Sequence, residues 1–395
     1  MKILTLTSIF FTSFFFISAC KTRDNSHDEI VKVVSSNTMI DVKISYPEKL
    51  KKKNKIILWS FPLLSDRFLP NKDLLMYEQN IWMSPILKNA LLDSGYINIE
   101  YIGRNENIEF AGRTYSIFDS NTKAADLESL INFIKVNYRF KNKKIILIGH
   151  SEGGEVNAKV ASNKQNEIYA ILQLASSALS GIQMLEYQRE KVTYPTLLSF
   201  FSMQEGVDTY NKISSLDSYH TPDLEGVKQY FNENIKPVEK IIFEFDDMDS
   251  IYYHINLYLH NRWEKEDNTV REVGYKNNFN SYYSVFAGTI TPQQITAITA
   301  KPEHYYPFIK CPVLLVQGTE DIRIDCFPNA ERMEQLLKDG GNFNFQKIIL
   351  EGYNHKLTME DGRVQNSFFS YFQDSGKNIV EDSIVQQIIE WIDGL

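Results

Sequence analysis

The stretch KKIILIGHSEGGEV, residues 143–156, joins an aliphatic run to a serine enclosed by glycines. A continuous aliphatic run is typical of a strand buried on both faces. Gly149-His150-Ser151-Glu152-Gly153 matches the pattern G-x-S-x-G, in which a strand enters a helix through one sharp, strained turn. Glycines two residues to either side of the serine let strand and helix approach each other. We therefore expect Ser151 Oγ to project above the sheet beside the N-terminus of a helix.

A serine nucleophile needs a base, and the base needs an acid that orients it. In VLLVQGTEDIRI (313–324), Asp321 follows a predicted strand, and in FQKIILEGYNHKL (345–357), His355 follows the next one. Parallel sheets place their sites at the carboxyl ends of the strands. The sequence therefore predicts a catalytic triad of Ser151, Asp321 and His355.

Two alternatives remain open for this site. Asp325 competes with Asp321 as the acid, and Glu320 stands directly before Asp321. A tight strand-to-helix turn without any chemistry is the alternative to a nucleophile at Ser151. The backbone N–H of Glu152 is the expected first donor to an oxyanion.

Short aliphatic runs alternate with helix-like stretches along most of the chain. This order predicts an α/β fold, with a mostly parallel sheet and helices on both faces. An antiparallel hairpin is expected before the first buried strand. The six predicted strands are KIILWS (55–60), INIEYI (97–102), KIILIG (144–149), YAILQLA (169–175), VLLVQG (313–318) and FQKIIL (345–350).

Residues 177–306 interrupt this alternation. The segment is rich in Tyr, Phe and polar residues and is too long for a loop. We expect a mainly helical cap inserted between two strands, which divides the core that contains the sheet into residues 32–176 and 307–395. Three aspartates at 246, 247 and 249 indicate the start of a cap helix rather than a metal site, and no metal or other cofactor is predicted.

The first residues have the pattern of a secretory signal. A short basic start precedes an apolar segment that ends at Ile17-Ser18-Ala19-Cys20, which resembles the lipobox of bacterial lipoproteins. We expect a signal peptide over residues 1–19, a lipid on Cys20 and a tether over residues 20–31. Lys21 after the cysteine, by resemblance to Gram-negative sorting rules, favours the outer membrane. A plain signal peptide or a short membrane anchor is the alternative.

Composition excludes some partners and leaves one pairing open. The chain has 395 residues, a net charge of −8 and no basic tract interleaved with aromatics, so nucleic-acid binding is not expected. Cys311 and Cys326 could form a disulfide in an oxidising compartment, or Cys311 could be a small buried side chain. The sequence does not indicate an oligomeric state.

From about residue 40 to its end the chain resembles an α/β-hydrolase, and more narrowly the bacterial serine esterases that carry Gly-Ser-Gly-Pro followed by Asp-Arg-Asp after the third strand. The corresponding residues here are WSFPLLSDRF, residues 59–68, in which Trp59 and Phe61 replace the two glycines. The resemblance implies that the backbone N–H of Phe61 is the second oxyanion donor. It also implies that Tyr101 and Arg104 belong to a Tyr-Asp-x-Arg-Gly-like segment.

The activity implied by these residues is hydrolysis of a small carboxylic ester through an acyl-enzyme. A peptidase or thioesterase of the same fold is one alternative. A catalytically silent binding lipoprotein, suggested by the altered oxyanion loop, is another.

Overall fold

The computed structural model describes residues 28–36, 38–49, 54–60, 83–104, 108–110, 113–115, 119–165, 167–195, 198, 223–265, 292–360 and 378–395. The predicted signal peptide (1–19), Cys20 and most of the tether lie outside these residues. Of the helices in the described part of the chain, none is both long enough and apolar enough to cross a bilayer.

Eight strands of the described residues form one sheet at the centre of the molecule. They are β1 (Asp28–Ser35), β2 (Thr38–Ser45), β3 (Lys55–Trp59), β4 (Ile97–Arg104), β7 (Lys144–His150), β8 (Ile168–Leu174), β9 (Val313–Gly318) and β10 (Phe345–Leu350). Their order across the sheet is β1-β2-β4-β3-β7-β8-β9-β10. Neighbouring strands from β4 to β10 pair in parallel, whereas β1 and β2 are antiparallel additions at one edge. Two small hairpins pair β5 (Ile108–Phe110) with β6 (Arg113–Tyr115), and β11 (Met359–Glu360) with β12 (Asn378–Ile379).

Helices cover both faces of the sheet, as the sequence predicts. Successive residues of each buried strand belong to different apolar clusters: Ile145 and Leu147 pack with one set of helices, and Ile146 and Ile148 with another. The first set is α2 (Ser120–Val136), α3 (Glu152–Asn163) and α9 (Cys326–Asp339), and the second is α1 (Met83–Asp93) and α10 (Asp382–Gly394). Burial on both faces is the reason that these strands have continuous aliphatic sequences.

The N-terminal hairpin is present, but it begins earlier than predicted. Strand β1 starts at Asp28, inside the stretch that the sequence assigns to a tether ending at residue 31. The start of this strand is not marked by buried apolar residues, because Glu29 is charged and Ile30 is exposed. It is held to the rest of the fold by an ion pair between Glu29 and Arg139, at 2.7 Å. Strand β1 therefore extends four residues, Asp28–Val31, before the core boundary that the sequence places at residue 32.

The described helices between β8 and residue 299 form a separate layer. The helical segments of this layer are α4 (Gly181–Gln188), a π-helical turn (Arg189–Thr193), α5 (Leu224–Asn234), α6 (Lys236–Glu244), α7 (Met248–Lys265) and α8 (Pro292–Ile298). Four of them, α4, α6, α7 and α8, share an apolar cluster. The cluster includes Val238, Ile255 and Ile295. Tyr305 and Tyr306 instead pack into the main core, so that core resumes just before the predicted boundary at residue 307.

Cys311 and Cys326 are both buried and both free thiols. Cys311 lies just before β9, and Cys326 is the first residue of α9, beyond the loop that follows this strand. The structure therefore matches the alternative in which Cys311 is a small buried side chain and no disulfide forms. Burial raises the pKa of the Cys326 thiol to about 11 and that of Cys311 to about 12.

Candidate active site

Ser151 occupies the strained turn between β7 and α3. Its backbone has φ 54° and ψ −121°, a conformation that L-residues rarely adopt, and it immediately precedes the first turn of α3. Its N–H donates to the carbonyl of Leu174 at the end of β8 (2.9 Å), which fixes the turn to the sheet. The turn therefore lifts the Ser151 side chain to the carboxyl edge of the sheet, as the motif predicts.

Close packing around the turn explains two of its glycines. A Cβ atom added to Gly149 would lie 2.3 Å from the carbonyl oxygen of Gly153, and one added to Gly154 would lie 1.8 Å from Ser176 Oγ. Both contacts are closer than any side chain tolerates. Gly154, outside the five-residue pattern, is thus as necessary to the turn as Gly149.

The loop after β10 carries His355 and is held by its own polar groups. Asn354 Oδ1 accepts hydrogen bonds from the N–H groups of Lys356 (2.8 Å) and Thr358 (3.3 Å). The N–H of Glu320 donates to the carbonyl of Tyr353 at 2.9 Å, which attaches this loop to the end of β9. The base and the acid therefore stand on two loops joined by backbone hydrogen bonding.

The structure brings the three predicted side chains together in one hydrogen-bonded chain. His355 Nε2 lies 3.0 Å from Ser151 Oγ, and His355 Nδ1 lies 2.9 Å from Asp321 Oδ2. His355 and Asp321 are 6% and 1% exposed, so water does not compete with this contact. An ionised carboxylate only accepts hydrogen bonds, so Nδ1 carries the proton and Nε2 is left to accept one from the serine hydroxyl.

The Asp321 carboxylate is fully engaged. Oδ1 accepts the N–H groups of Arg323 (2.8 Å) and Ile324 (3.0 Å), and Oδ2 accepts from Gln317 Nε2 (2.7 Å) as well as from His355. These donors stabilise a buried negative charge that would otherwise be costly. The competing Asp325 instead occupies the position before the first turn of α9.

His150, directly before the nucleophile, is buried and contacts the base loop. Its Nε2 lies 2.8 Å from the backbone carbonyl of His355, to which it donates. The two imidazole rings are 5.1 Å apart. Burial, reinforced by the nearby His355, lowers the pKa of His150 to about 3, so this side chain is neutral at physiological pH.

One predicted oxyanion donor lies at the turn, and the other falls outside the described residues. Glu152 is the first residue of α3, where backbone N–H groups and the helix dipole favour negative charge. Its carboxylate pairs with Lys123 Nζ at 2.6 Å, so its own charge is compensated. Phe61 is not among the described residues, and neither are the side chains of Tyr101 and Arg104.

The described residues just before Phe61 connect β3 to the nucleophile turn. The N–H of Ser60 donates to the carbonyl of Ile148 (3.1 Å), and Ser60 Oγ donates to the carbonyl of Gly153 (2.9 Å). The Trp59 indole packs in the core and donates to Asn98 Oδ1 at 2.8 Å. The chain therefore enters the predicted oxyanion loop directly beside the turn.

The layer of helices inserted after β8 contacts the loop between β9 and α9 (residues 319–325), which carries Asp321 and is called the acid loop below. The Tyr187 hydroxyl of α4 donates to the backbone carbonyl of Asp321 (2.7 Å), and Gln188 Nε2 donates to that of Arg323 (2.9 Å). Sequence reasoning missed these contacts and that of His150 because each joins residues far apart in the chain. It also missed the contact between Gln317 and Asp321, four residues apart, although a polar residue inside an aliphatic strand was a local signal for it. Within the described ranges, no group of three or more His, Cys, Asp or Glu residues is arranged to hold a metal ion.

The strand order, the antiparallel edge strands and the serine turn after β7 together decide the architecture. The chain has the α/β-hydrolase fold. No protein-family model and no curated protein sequence match the chain.

Solved structures that resemble it share little sequence. An esterase of Pyrococcus furiosus, Pf2001, is 13% identical over 84% of this chain and 83% of its own, with a TM-score of 0.43. Est1E from Butyrivibrio proteoclasticus is 13% identical over 83% and 90%, with a TM-score of 0.40. A proline iminopeptidase of Mycobacterium smegmatis is 11% identical over 83% and 91%, with a TM-score of 0.42. The function proposed below therefore rests on the side chains of this chain.

Proposed function

We propose that the protein is a serine hydrolase that cleaves carboxylic esters through an acyl-enzyme. The observation that carries this proposal is the continuous contact from Ser151 Oγ through the imidazole of His355 to the buried carboxylate of Asp321, at 3.0 and 2.9 Å. The first contact lets the hydroxyl pass its proton to the imidazole, and the second holds the imidazole in the orientation that accepts it.

In the first half of the reaction, Ser151 Oγ attacks the ester carbonyl carbon while His355 Nε2 takes the hydroxyl proton. Asp321 keeps the other ring proton on Nδ1 and stabilises the imidazolium that forms. The N–H of Glu152, at the start of α3, donates to the developing oxyanion, and we assign the second donation to the N–H of Phe61. His355 then gives its proton to the departing alcohol.

In the second half, His355 accepts a proton from water as the water oxygen attacks the acyl carbon. The tetrahedral intermediate collapses, the carboxylic acid leaves, and the proton returns to Ser151 Oγ. The proton inventory closes over one turnover with only the three side chains and water, so the cycle needs no cofactor.

The proposal is tested with p-nitrophenyl esters of increasing acyl length and with a fluorophosphonate probe. We expect hydrolysis and covalent labelling by the wild type, and loss of both in Ser151→Ala. Ser162→Ala, on the same helix at its far end, is the matched control and should keep both. Wild-type protein that neither hydrolyses esters nor reacts with the probe would favour a silent binding protein. Labelling with activity only on thioesters or peptides would keep the serine hydrolase and reject the ester.

We also propose that the mature chain is held in the outer membrane by a lipid on Cys20. The motif at residues 17–20 supports this location. Expressed in a Gram-negative host, the full chain should incorporate labelled palmitate and partition with outer-membrane fractions. Cys20→Ser should lose both properties, whereas Cys311→Ser should keep them. Palmitate labelling that survives in Cys20→Ser would reject this assignment.

A further inference from the structure

Gln317 is a fully buried polar side chain inside an otherwise aliphatic strand. It is the last residue but one of β9, and its side chain is 0% exposed. Burying an amide is costly unless its groups are hydrogen-bonded. Its Nε2 lies 2.7 Å from Asp321 Oδ2, the same oxygen that binds His355 Nδ1. Two donors therefore share the one carboxylate oxygen that faces the base.

The orientation of the Gln317 amide is fixed by Asn329 on α9. Asn329 Oδ1 accepts the backbone N–H of Ala178 (2.7 Å), so its other atom is Nδ2, which donates to the carbonyl of Ser176 (2.9 Å). Nδ2 also faces Gln317 at 3.3 Å, so the Gln317 atom on that side is the acceptor Oε1. The atom that faces Asp321 is then the donor Nε2.

We propose that Gln317 is a positioning residue that sets how strongly Asp321 attracts the proton of His355, and that Asn329 holds the Gln317 amide in its donating orientation. This inference rests on the function proposed above. A hydrogen bond from a neutral amide withdraws negative charge from Oδ2 and restrains the carboxylate beside the imidazole. Gln317 therefore limits how strongly the Asp321 carboxylate stabilises the imidazolium that forms when His355 takes the serine proton.

Gln317→Met tests this directly, because methionine has nearly the same shape and no donor. The undivided charge on Oδ2 should stabilise the imidazolium, and the acidic limb of the kcat/KM profile should move to higher pH by about half to one unit. Gln335→Met is the matched control, because Gln335 makes the same amide-to-carboxylate contact with Asp339 (2.6 Å) on the exposed side of α9.

Gln317→Leu provides a second variant in case Gln317→Met does not fold. Leucine also has no donor for Asp321 Oδ2, and it adds no charge near the triad. The acidic limb should therefore move in the same direction as in Gln317→Met. The titratable groups around His355 and Asp321 are unchanged in both variants: His150 of β7, Ser151, Lys356, Tyr187 of α4, Glu320, Asp325 and Cys326 of α9.

A readout that does not need turnover separates this inference from the proposed function. The proton between His355 Nδ1 and Asp321 should give a low-field NMR signal whose pH dependence follows the charge on the ring. If that titration moves upward in Gln317→Met while the wild type hydrolyses no ester, the inference stands and the ester function fails. If the wild type is active but both variants keep its acidic limb and its NMR titration, Gln317 is only structural, and a fall in thermal stability alone would be its signature.

Discussion

At the scale of single residues, the Asp321 carboxylate is the group whose chemistry is most constrained. Asp321→Asn keeps its size but can present an amide N–H to His355 Nδ1, which favours the wrong ring tautomer. We expect kcat/KM for ester hydrolysis to fall on the order of 10³-fold or more. Asp325→Asn, which changes a residue at the start of α9, should stay within about threefold of the wild type. An equal loss in both variants would reject Asp321 as the acid.

His150 should make the protein less stable in acid. Its pKa is lowered to about 3 in the folded chain, compared with 6.5 ordinarily, because burial disfavours its charged form. Between these pH values the unfolded chain binds a proton that the folded chain does not. The contribution of His150 to stability is therefore complete above about pH 6.5 and falls as the pH drops toward 3, by up to about 1.4 kcal/mol per unit.

Urea unfolding between pH 5 and pH 8 measures this effect. His150→Gln can still donate to the His355 carbonyl but does not titrate, so its free energy of unfolding should fall less between pH 7 and pH 5 than that of the wild type. His304→Gln, at an exposed histidine, should follow the wild type. Parallel curves for the wild type and His150→Gln would show that the buried imidazole takes up its proton in both the folded and unfolded chain.

At the scale of helices and strands, the sequence predicts the sheet well because burial imposes a pattern on it. All six aliphatic runs are strands of the sheet, with ends within two residues of those predicted. The turn at Ser151 could be predicted because its strain requires small neighbours within a few positions. In both cases the cause is local, so it leaves a local signature.

The contacts that complete the site leave no such signature. His150 and the carbonyl of His355 are 205 residues apart, and Ser60 and Gly153 are 93 apart. Each contact depends on which strands become neighbours, and a polar residue at a strand end looks the same with or without that neighbour. The first two residues of the edge strand β1, Asp28 and Glu29, were missed for a related reason, since an edge strand buries only one face and its polar start has no apolar pattern.

The contact between α4 and the acid loop predicts a role for the helical layer in catalysis. Tyr187→Phe removes the hydroxyl that donates to the Asp321 carbonyl but keeps the ring. A single such bond contributes about 1 kcal/mol, so kcat/KM should fall about fivefold if the bond helps to hold the loop in its reactive position. Tyr253→Phe, at a tyrosine that is 64% exposed on α7, is the control for ester hydrolysis assays. Equal rates in the two variants would leave this contact without a catalytic role.

At the scale of the whole molecule, the sheet collects residues from three separate parts of the chain. Residues 151, 321 and 355 follow β7, β9 and β10, and all the helices of the inserted layer lie between β8 and β9 in sequence. Parallel pairing from β4 to β10 places these strand ends at one edge regardless of how long the insertion is. The insertion can therefore contact the acid loop without interrupting the sheet that positions the triad.

The opposite end of the sheet should affect stability without affecting catalysis. Asp28–Val31 pair with Val42–Ser45, Val31 is buried, and Glu29 pairs with Arg139 after α2. A chain begun at residue 32, the boundary predicted from sequence, loses all of these contacts, whereas a chain begun at residue 28 keeps them. We expect the shorter chain to lose at least about 2 kcal/mol of unfolding free energy, from the buried valine and the broken strand pairing.

Activity should respond differently, because β1 lies four strands from β7, or about 19 Å at the usual spacing. Measured well below its unfolding temperature, the shorter chain should hydrolyse esters with the kcat/KM of the longer one. Urea unfolding and ester assays on the two chains separate these effects. Equal unfolding midpoints would mean that residues 28–31 behave as a tether after all, and a loss of activity in the folded shorter chain would show that the edge hairpin supports the distant site.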